Sequence, residues 1–314
     1  MEQMPKVSVC VVTYNPQKEK LMETLESIVR QKYANLQIIL SDDGSEEPFF
    51  NEAREFLDKA NITDYKLVEA PENQGTVKNV EQALLAADGV FIKTISPGDC
   101  LTEDTILSDW IKHLMDSGRQ WSFSNAIYYS RKSGGVPTVH RQPANPQLVD
   151  CYTRHDDDTC RWNYVVLDDL ALGAAIVCER ELMIRYIEQI VGIVKYAEDN
   201  IFRLMMFHGI LPDYFPEEAV LYECDSGIST CGDSVWSKRV WADWTATDEL
   251  MLAQTAFGDE LQKKMQAALR RKKGWSAQKK KWLQYTEKGR IYKRFRYYWH
   301  RRLTGGSEGE RLCK

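Results

Sequence analysis

Residues 7–13 (VSVCVVT) form an unbroken apolar, β-branched run, the pattern of a strand buried on both faces. A turn signal, Tyr14-Asn15-Pro16, ends it, and Leu21, Leu25, Ile28 and Val29 then recur at helical spacing. Residues 37–40 read as a second strand, closed by Ser41-Asp42-Asp43-Gly44-Ser45. A helix is expected over roughly 48–60, a strand at 65–69, a loop at 71–75, a helix marked by Val77, Val80, Leu84 and Ala87, and a strand at 90–95. Strands alternating with helices predict an open, mostly parallel sheet covered on both faces.

Beyond Ser96-Pro97-Gly98-Asp99 the alternation loosens. A helix carries Ile106, Leu107, Trp110, Ile111 and Leu114, and two β-like stretches (121–129 and 172–178) bracket a polar segment, 131–161, to which no order is assigned. Helices at about 179–190 and 199–208 come next, then an irregular stretch running to residues 222–230. Residues 246–273 and 276–303 read as two helices parted by Gly274. The expected division is a domain over 1–235 and a helical, basic extension over 236–314.

Composition narrows the class. Of the 314 residues, 43% are hydrophobic and 28% charged, which suits a core-forming chain and excludes wholesale disorder. The eight cysteines include no C-x-x-C pair, so a zinc ribbon or thioredoxin-type site is not expected. The longest apolar run, 170–178, is nine residues, too short for a bilayer. Residues 7–12 are too short for a signal-peptide core. A cytoplasmic protein, soluble or peripheral on the membrane, is the expectation. The net charge of −5 conceals a polarity: residues 262–314 hold 18 Lys and Arg against three acids, while 1–261 carry a net charge of −20. An acidic body argues against nucleic acid as a partner, and a basic tail suits an anionic surface.

Ligands of open parallel sheets bind beyond the carboxyl ends of the strands. Three polar loops fall there: Thr13-Tyr14-Asn15, Asp42-Asp43-Gly44-Ser45 and Ser96-Pro97-Gly98-Asp99. Neither a Gly-rich dinucleotide loop nor a P-loop is present, so the usual phosphate cradles are missing. Carboxylates facing a diphosphate call for a divalent cation between them, Mg²⁺ or Mn²⁺ with oxygen ligands.

PKVSVCVVTYN, LESIVRQKY, LQIILSDDGS, ENQGTVKNVEQALLAADG, VFIKTISPGDCL and AEDNIFRLMMFHG follow the order and spacing of family 2 glycosyltransferases, and the chain resembles that family over about residues 5–230. The resemblance implies a GT-A fold and inverting transfer of a sugar from a nucleotide donor, a UDP-sugar being expected. It implies that Thr13 and Tyr14 contact the nucleoside and that Asp43 reads the base edge or ribose, with Asp42 supporting the loop. Lys78 and Asn79 fall near base and phosphates, Asp199 matches the general base, and residues 222–229 resemble a segment closing over the diphosphate. The metal motif departs from the family's D-x-D-D: only Asp99 keeps a carboxylate.

Each feature has a plainer reading. Asp-Asp-Gly-Ser also makes a turn and a helix cap, and Glu198-Asp199 also suits a helix N-terminus. Tyr14 could pack in a core. Asp156-Asp157-Asp158 reads as a solvated insertion rather than a metal motif, His208 as a packed histidine, and Trp121 and Trp162 as core. In the tail, Ile291, Tyr292, Phe295, Tyr298 and Trp299 share one helical face flanked by Arg290, Lys293, Arg294, Arg296 and Arg301. That pattern suits an anionic membrane surface. The expected acceptor is a glycan hydroxyl, as in bacterial surface polysaccharide synthesis, with a polyprenyl-linked glycan at the membrane explaining the tail. The rival expectations are a nucleotide-sugar-binding homologue without transfer activity and a membrane-associated adaptor.

Overall fold

The computed structural model describes residues 4–131, 138–140, 146–224 and 234–274, together with 292 and 295. Nine strands of the described residues form one sheet. They are β1 (Val7–Thr13), β2 (Leu36–Asp42), β3 (Tyr65–Glu69), β4 (Phe91–Ile95), β5 (Cys100–Leu101), β6 (Trp121–Ser130), β7 (Thr138–His140), β8 (Ile176–Glu179) and β9 (Asp213–Glu223). Their order is β3-β2-β1-β4-β8-β6-β9-β5, with β7 added beside β6.

The first half is the expected parallel unit. β1 pairs with β2 and β4, and β2 with β3, all parallel. The crossovers run through α1 (Lys18–Val29), α2 (Phe50–Lys59) and α3 (Thr76–Ala86). β1 shows why it needs an apolar run: Val7, Val9 and Val11 enter one core, with Leu21, Leu25 and Ile28 of α1. Cys10 and Val12 enter the other, with Val77, Val80 and Leu84 of α3. Period-two alternation is hidden because both faces are covered.

The second half is mixed. β8 runs antiparallel to both β4 and β6, whereas β9 lies parallel to β6 with register shifts on either side of Asn125. The stretch before residue 222, expected to be irregular, is therefore largely strand. Helices α4 (Ile106–Ser117), α7 (Arg180–Ile190) and α8 (Asn200–Phe207) fall close to their sequence expectations. Within the unassigned polar segment lie α5 (Asp150–Thr153) and α6 (Asp157–Val166). Asp156 caps α6, accepting from the Thr159 N–H at 3.3 Å and its hydroxyl at 2.8 Å. The aspartate run is a helix start.

The C-terminal helices differ from expectation. In place of one helix over 246–273 stand α9 (Ser234–Ala253) and α10 (Glu260–Lys273). Asp259 caps α10 by accepting from the Gln262 N–H at 2.8 Å, which fixes the break. Gln266 of α10 then donates to the carbonyls of Met251, Leu252 and Gln254 at the end of α9. Those are carbonyls a helix C-terminus leaves unpaired. Met265 and Leu269 are fully buried, and Arg161 reaches Asp259 at 2.5 Å, so α10 is docked on the body. Of the expected tail helix, 276–303, only residues 292 and 295 are described.

Candidate functional site

A cavity of about 460 Å³ opens at the carboxyl edge of β1, β2 and β4, a volume in the range of small-molecule sites. Thr13, Tyr14, Asp43, Asn79, Asp99 and Asp199 all line it. Lys78 does not; its ammonium pairs with Glu81 at 2.7 Å on the same helix. Tyr14 is 53% exposed, which excludes the core-packing reading. Residues 225–229 of the expected closing segment lie outside the described residues.

The first acid pair is wired into the backbone. Asp42 accepts from the hydroxyls of Thr13 and Ser45, each at 2.6 Å, and from the Ser45 N–H at 2.7 Å. Asp43 accepts from the N–H groups of Gln74 and Gly75, both at 2.8 Å. Burial pushes the Asp43 carboxyl up and the two N–H groups pull it back. Gly75 sits at φ +99°, where a Cβ would come within 2.7 Å of the Lys195 carbonyl oxygen. Only glycine lets this loop turn close enough for Asp43 to hold it. Asn79 joins the strands by donating to the Thr13 carbonyl at 2.9 Å and accepting from Ser41 at 2.6 Å.

The second acid pair is held differently. Asp199 starts α8 without making a side-chain cap, and neither Glu198 nor Asp199 forms an ion pair among the described residues. Burial raises both carboxyls; the Asp199 charge raises Glu198 further, while Arg203 draws Asp199 back down. Their loop is positioned from below by Asp243 of α9, which accepts from the N–H groups of Lys195, Tyr196 and Ala197 at 3.2, 2.7 and 3.1 Å.

Asp99 occupies a third position. One carboxylate oxygen accepts from the Glu223 N–H at 2.9 Å. Burial pushes the carboxyl up to about 7, and the neighbouring Glu223 charge adds to the rise, against the pull of the buried Lys93. Burial in turn brings Lys93 down to about 7. Among the described residues, no group of three or more His, Cys, Asp or Glu could hold a metal ion by itself. Asp99 nevertheless fits one arm of a shared site: it lines the cavity, and burial leaves its carboxylate short of solvation that a cation would supply. Mg²⁺ is commonly held by one or two carboxylates plus substrate phosphates.

Sequence reading missed several wall residues. Trp236, Val240 and Trp244 of α9 line the cavity, and the expected division at 235/236 falls at the start of this wall. Their i, i+4, i+8 spacing was the available signal. The Tyr196 and Trp236 rings meet edge-on at 5.1 Å, and Arg239 lies 4.6 Å from the Trp236 ring centre. Lys20 and Glu223, also in the lining, carried no local signal. The residues read as packing behave so: Trp121 is fully buried, Trp162 nearly so, and His208 bonds to Tyr186 at 2.8 Å and Gln254 at 2.9 Å.

The sequence profile of Glycosyl transferase family 2 matches residues 8–168. A glucosyl-dolichyl phosphate glucuronosyltransferase of Haloferax volcanii is 32% identical over 113 residues, which is 36% of this chain. The chain spans about a third (34%) of that curated relative. Among solved structures, S. aureus TarS 1–349 in complex with UDP-GlcNAc superposes with a TM-score of 0.57 at 14% identity, covering 93% of this chain and 80% of that one. The mannosyltransferase PcManGT of Pyrobaculum calidifontis, in complex with GDP-Man and Mn²⁺, superposes with a TM-score of 0.59 at 15% identity, over 98% and 89%. At these identities the likeness is one of fold, the α/β GT-A arrangement expected.

Proposed function

The chain belongs to glycosyl transferase family 2, and from that premise we propose that it transfers a sugar, with inversion, from a nucleotide-sugar to a hydroxyl of a glycan acceptor. One observation carries the reading: strand-end residues 13, 14, 43 and 99 and the α8 carboxylate of Asp199 share a single cavity. The nucleoside of the donor, a UDP-sugar in the first instance, lies against Thr13, Tyr14 and Asp43. Its diphosphate extends toward Asp99, where a divalent cation, when bound, offsets charge on the departing diphosphate. The acceptor hydroxyl attacks the anomeric carbon from the opposite face. The carbon–oxygen bond to the diphosphate breaks as Asp199 takes the hydroxyl proton. A carboxyl raised by burial is a stronger base than a solvated aspartate and supports that role.

Substitution of Asp199 tests the proposal. Asp199→Asn keeps the shape and cannot take the proton, so transfer falls while donor affinity persists. Wild-type transfer by this variant removes Asp199 as the base.

The acceptor side of the reading includes a lipid-linked glycan at an anionic, cytoplasmic membrane face. Residues 262–303 hold 16 Lys and Arg against the single acid Glu287, and Tyr292 and Phe295 are 37% and 59% exposed. Each Lys or Arg near such a surface contributes about 1 kcal/mol. No helix of the described residues is long and apolar enough to cross a membrane. The full chain is expected to float with anionic liposomes, less so at high salt. Truncation after Gly274, which spares the docked α10, should abolish flotation and leave nucleotide binding intact. Equal flotation of both forms refutes the membrane role of the tail.

A further inference from the structure

The cavity is acidic to a degree that a diphosphate cannot ignore. Among its described lining residues are five carboxyl groups, those of Asp43, Asp99, Glu198, Asp199 and Glu223, and one Lys or Arg side chain, that of Lys20. Lys20 lies in the first turn of α1, beside the strand end that carries Thr13 and Tyr14. Its ammonium is 2.6 Å from either oxygen of Glu223, with side-chain exposures of 12% for the lysine and 1% for the glutamate. The pair sits against the Asp99 loop. Gly98 takes φ +101°, where a Cβ would come within 2.6 Å of the Glu223 carboxylate and 3.4 Å of Lys20, and the Gly98 N–H donates to the Lys20 carbonyl at 3.3 Å. The loop that lost two of its three family acids is therefore closed by a resident cation.

Resting on the nucleotide-sugar reading of this cavity, we propose that Lys20 is a diphosphate-binding residue. In the free protein Glu223 holds the Lys20 ammonium at the cavity wall. On donor binding the ammonium turns to the phosphate oxygens, and Glu223 keeps the cavity end of β9 fixed through its N–H on Asp99. A lysine can exchange partners in this way because its charge is a compact point on a flexible stem. The chemistry explains how a motif with one carboxylate can serve a diphosphate: part of the positive charge that a metal supplies elsewhere is built into α1. Nucleoside diphosphate binding then keeps a component that needs no divalent ion.

Isothermal calorimetry of the full chain with UDP, and with GDP in a parallel arm, tests this in EDTA and again in Mn²⁺, with uridine as the phosphate-free control. The wild type is expected to bind a nucleoside diphosphate in EDTA, and Lys20→Gln to weaken that binding at least tenfold without altering uridine affinity. Because Lys20→Gln takes the lysine charge away from a buried carboxylate, the Lys20→Gln/Glu223→Gln double variant, a neutral pair of similar shape, is measured beside it and should show the same loss. Glu223→Gln alone removes the competitor and should tighten binding about threefold. Wild-type binding seen only with Mn²⁺, or a double variant that binds UDP and GDP as the wild type does, overturns the role of Lys20 while leaving the nucleotide site standing. Binding of neither diphosphate under any condition overturns the nucleotide reading itself, and Lys20 with it.

Discussion

Two pairs of adjacent acids, of which Asp43, Glu198 and Asp199 line the cavity, have opposite characters. Asp42–Asp43, at the end of β2, accept five hydrogen bonds from Thr13, Ser45, Gln74 and Gly75. Glu198–Asp199, at the start of α8, form no ion pair among the described residues, and burial raises both. A carboxylate that accepts several short hydrogen bonds from neighbouring loops serves as a structural fastener, even where burial raises it as it does Asp43. One that is buried without them is a stronger base, held in readiness at some cost to stability. Adjacent acids in a sequence therefore say little about role until their bonding is known.

Substitutions can break or sharpen this contrast. The largest expected effect is on chemistry: Asp199→Asn should lower transfer by about 10²–10⁴-fold, measured as single-turnover rate, with donor affinity retained. The sign of its stability effect is equally specific. A carboxyl raised in the folded state loses folding stability as pH climbs from its unfolded value through its folded one. The variant should thus melt higher than wild type near pH 8 and equally near pH 3, and a variant destabilised at both would contradict the assignment of strain to Asp199.

Asp42→Ala should act in the other direction. It strands a buried Thr13 hydroxyl and the Ser45 donors, costing about 2–4 kcal/mol in urea unfolding. An unfolding midpoint like that of wild type would show that the first pair is not a fastener. Asp43→Ala should weaken nucleotide binding by more than about 1 kcal/mol, read by calorimetry, because it frees the 74–75 loop as well as removing a contact. Smallest of all, Glu198→Gln should change kcat near pH 7 by less than about tenfold, since burial and the Asp199 charge already favour the protonated acid that glutamine imitates. A loss as large as that of Asp199→Asn would move the base to Glu198.

The pH profile separates the pairs once more. Transfer through Asp199 requires its ionised form, so kcat/KM should rise with pH through an apparent value above that of an ordinary aspartate. A limb at the usual aspartate position would mean the carboxyl is solvated in the working enzyme.

How much of this was legible beforehand varies with the distance over which it is encoded. The parallel unit β1–β4 was readable because each strand and helix announces itself over a few residues, as Val7–Thr13 and the 77, 80, 84 spacing do. The three strand-end loops followed from connectivity alone. The break between α9 and α10 was missed because it depends on Gln266 satisfying carbonyls 12–15 residues away, which no periodicity records. The α9 wall was missed because Trp236, Val240 and Trp244 read as an ordinary apolar stripe until the strand edge they face is known.

Local sequence, then, determined the elements of the parallel unit, their alternation, the acids at the strand ends and the polarity of charge between body and tail. Tertiary structure alone decided which acid is fastened and which is poised. It also brought Lys20 to Glu223 across 203 positions of chain, beside the loop that keeps only Asp99. The reason is physical. Propensity and periodicity act over one or two turns of backbone, whereas burial, desolvation and charge pairing depend on whatever the fold brings within a few ångströms.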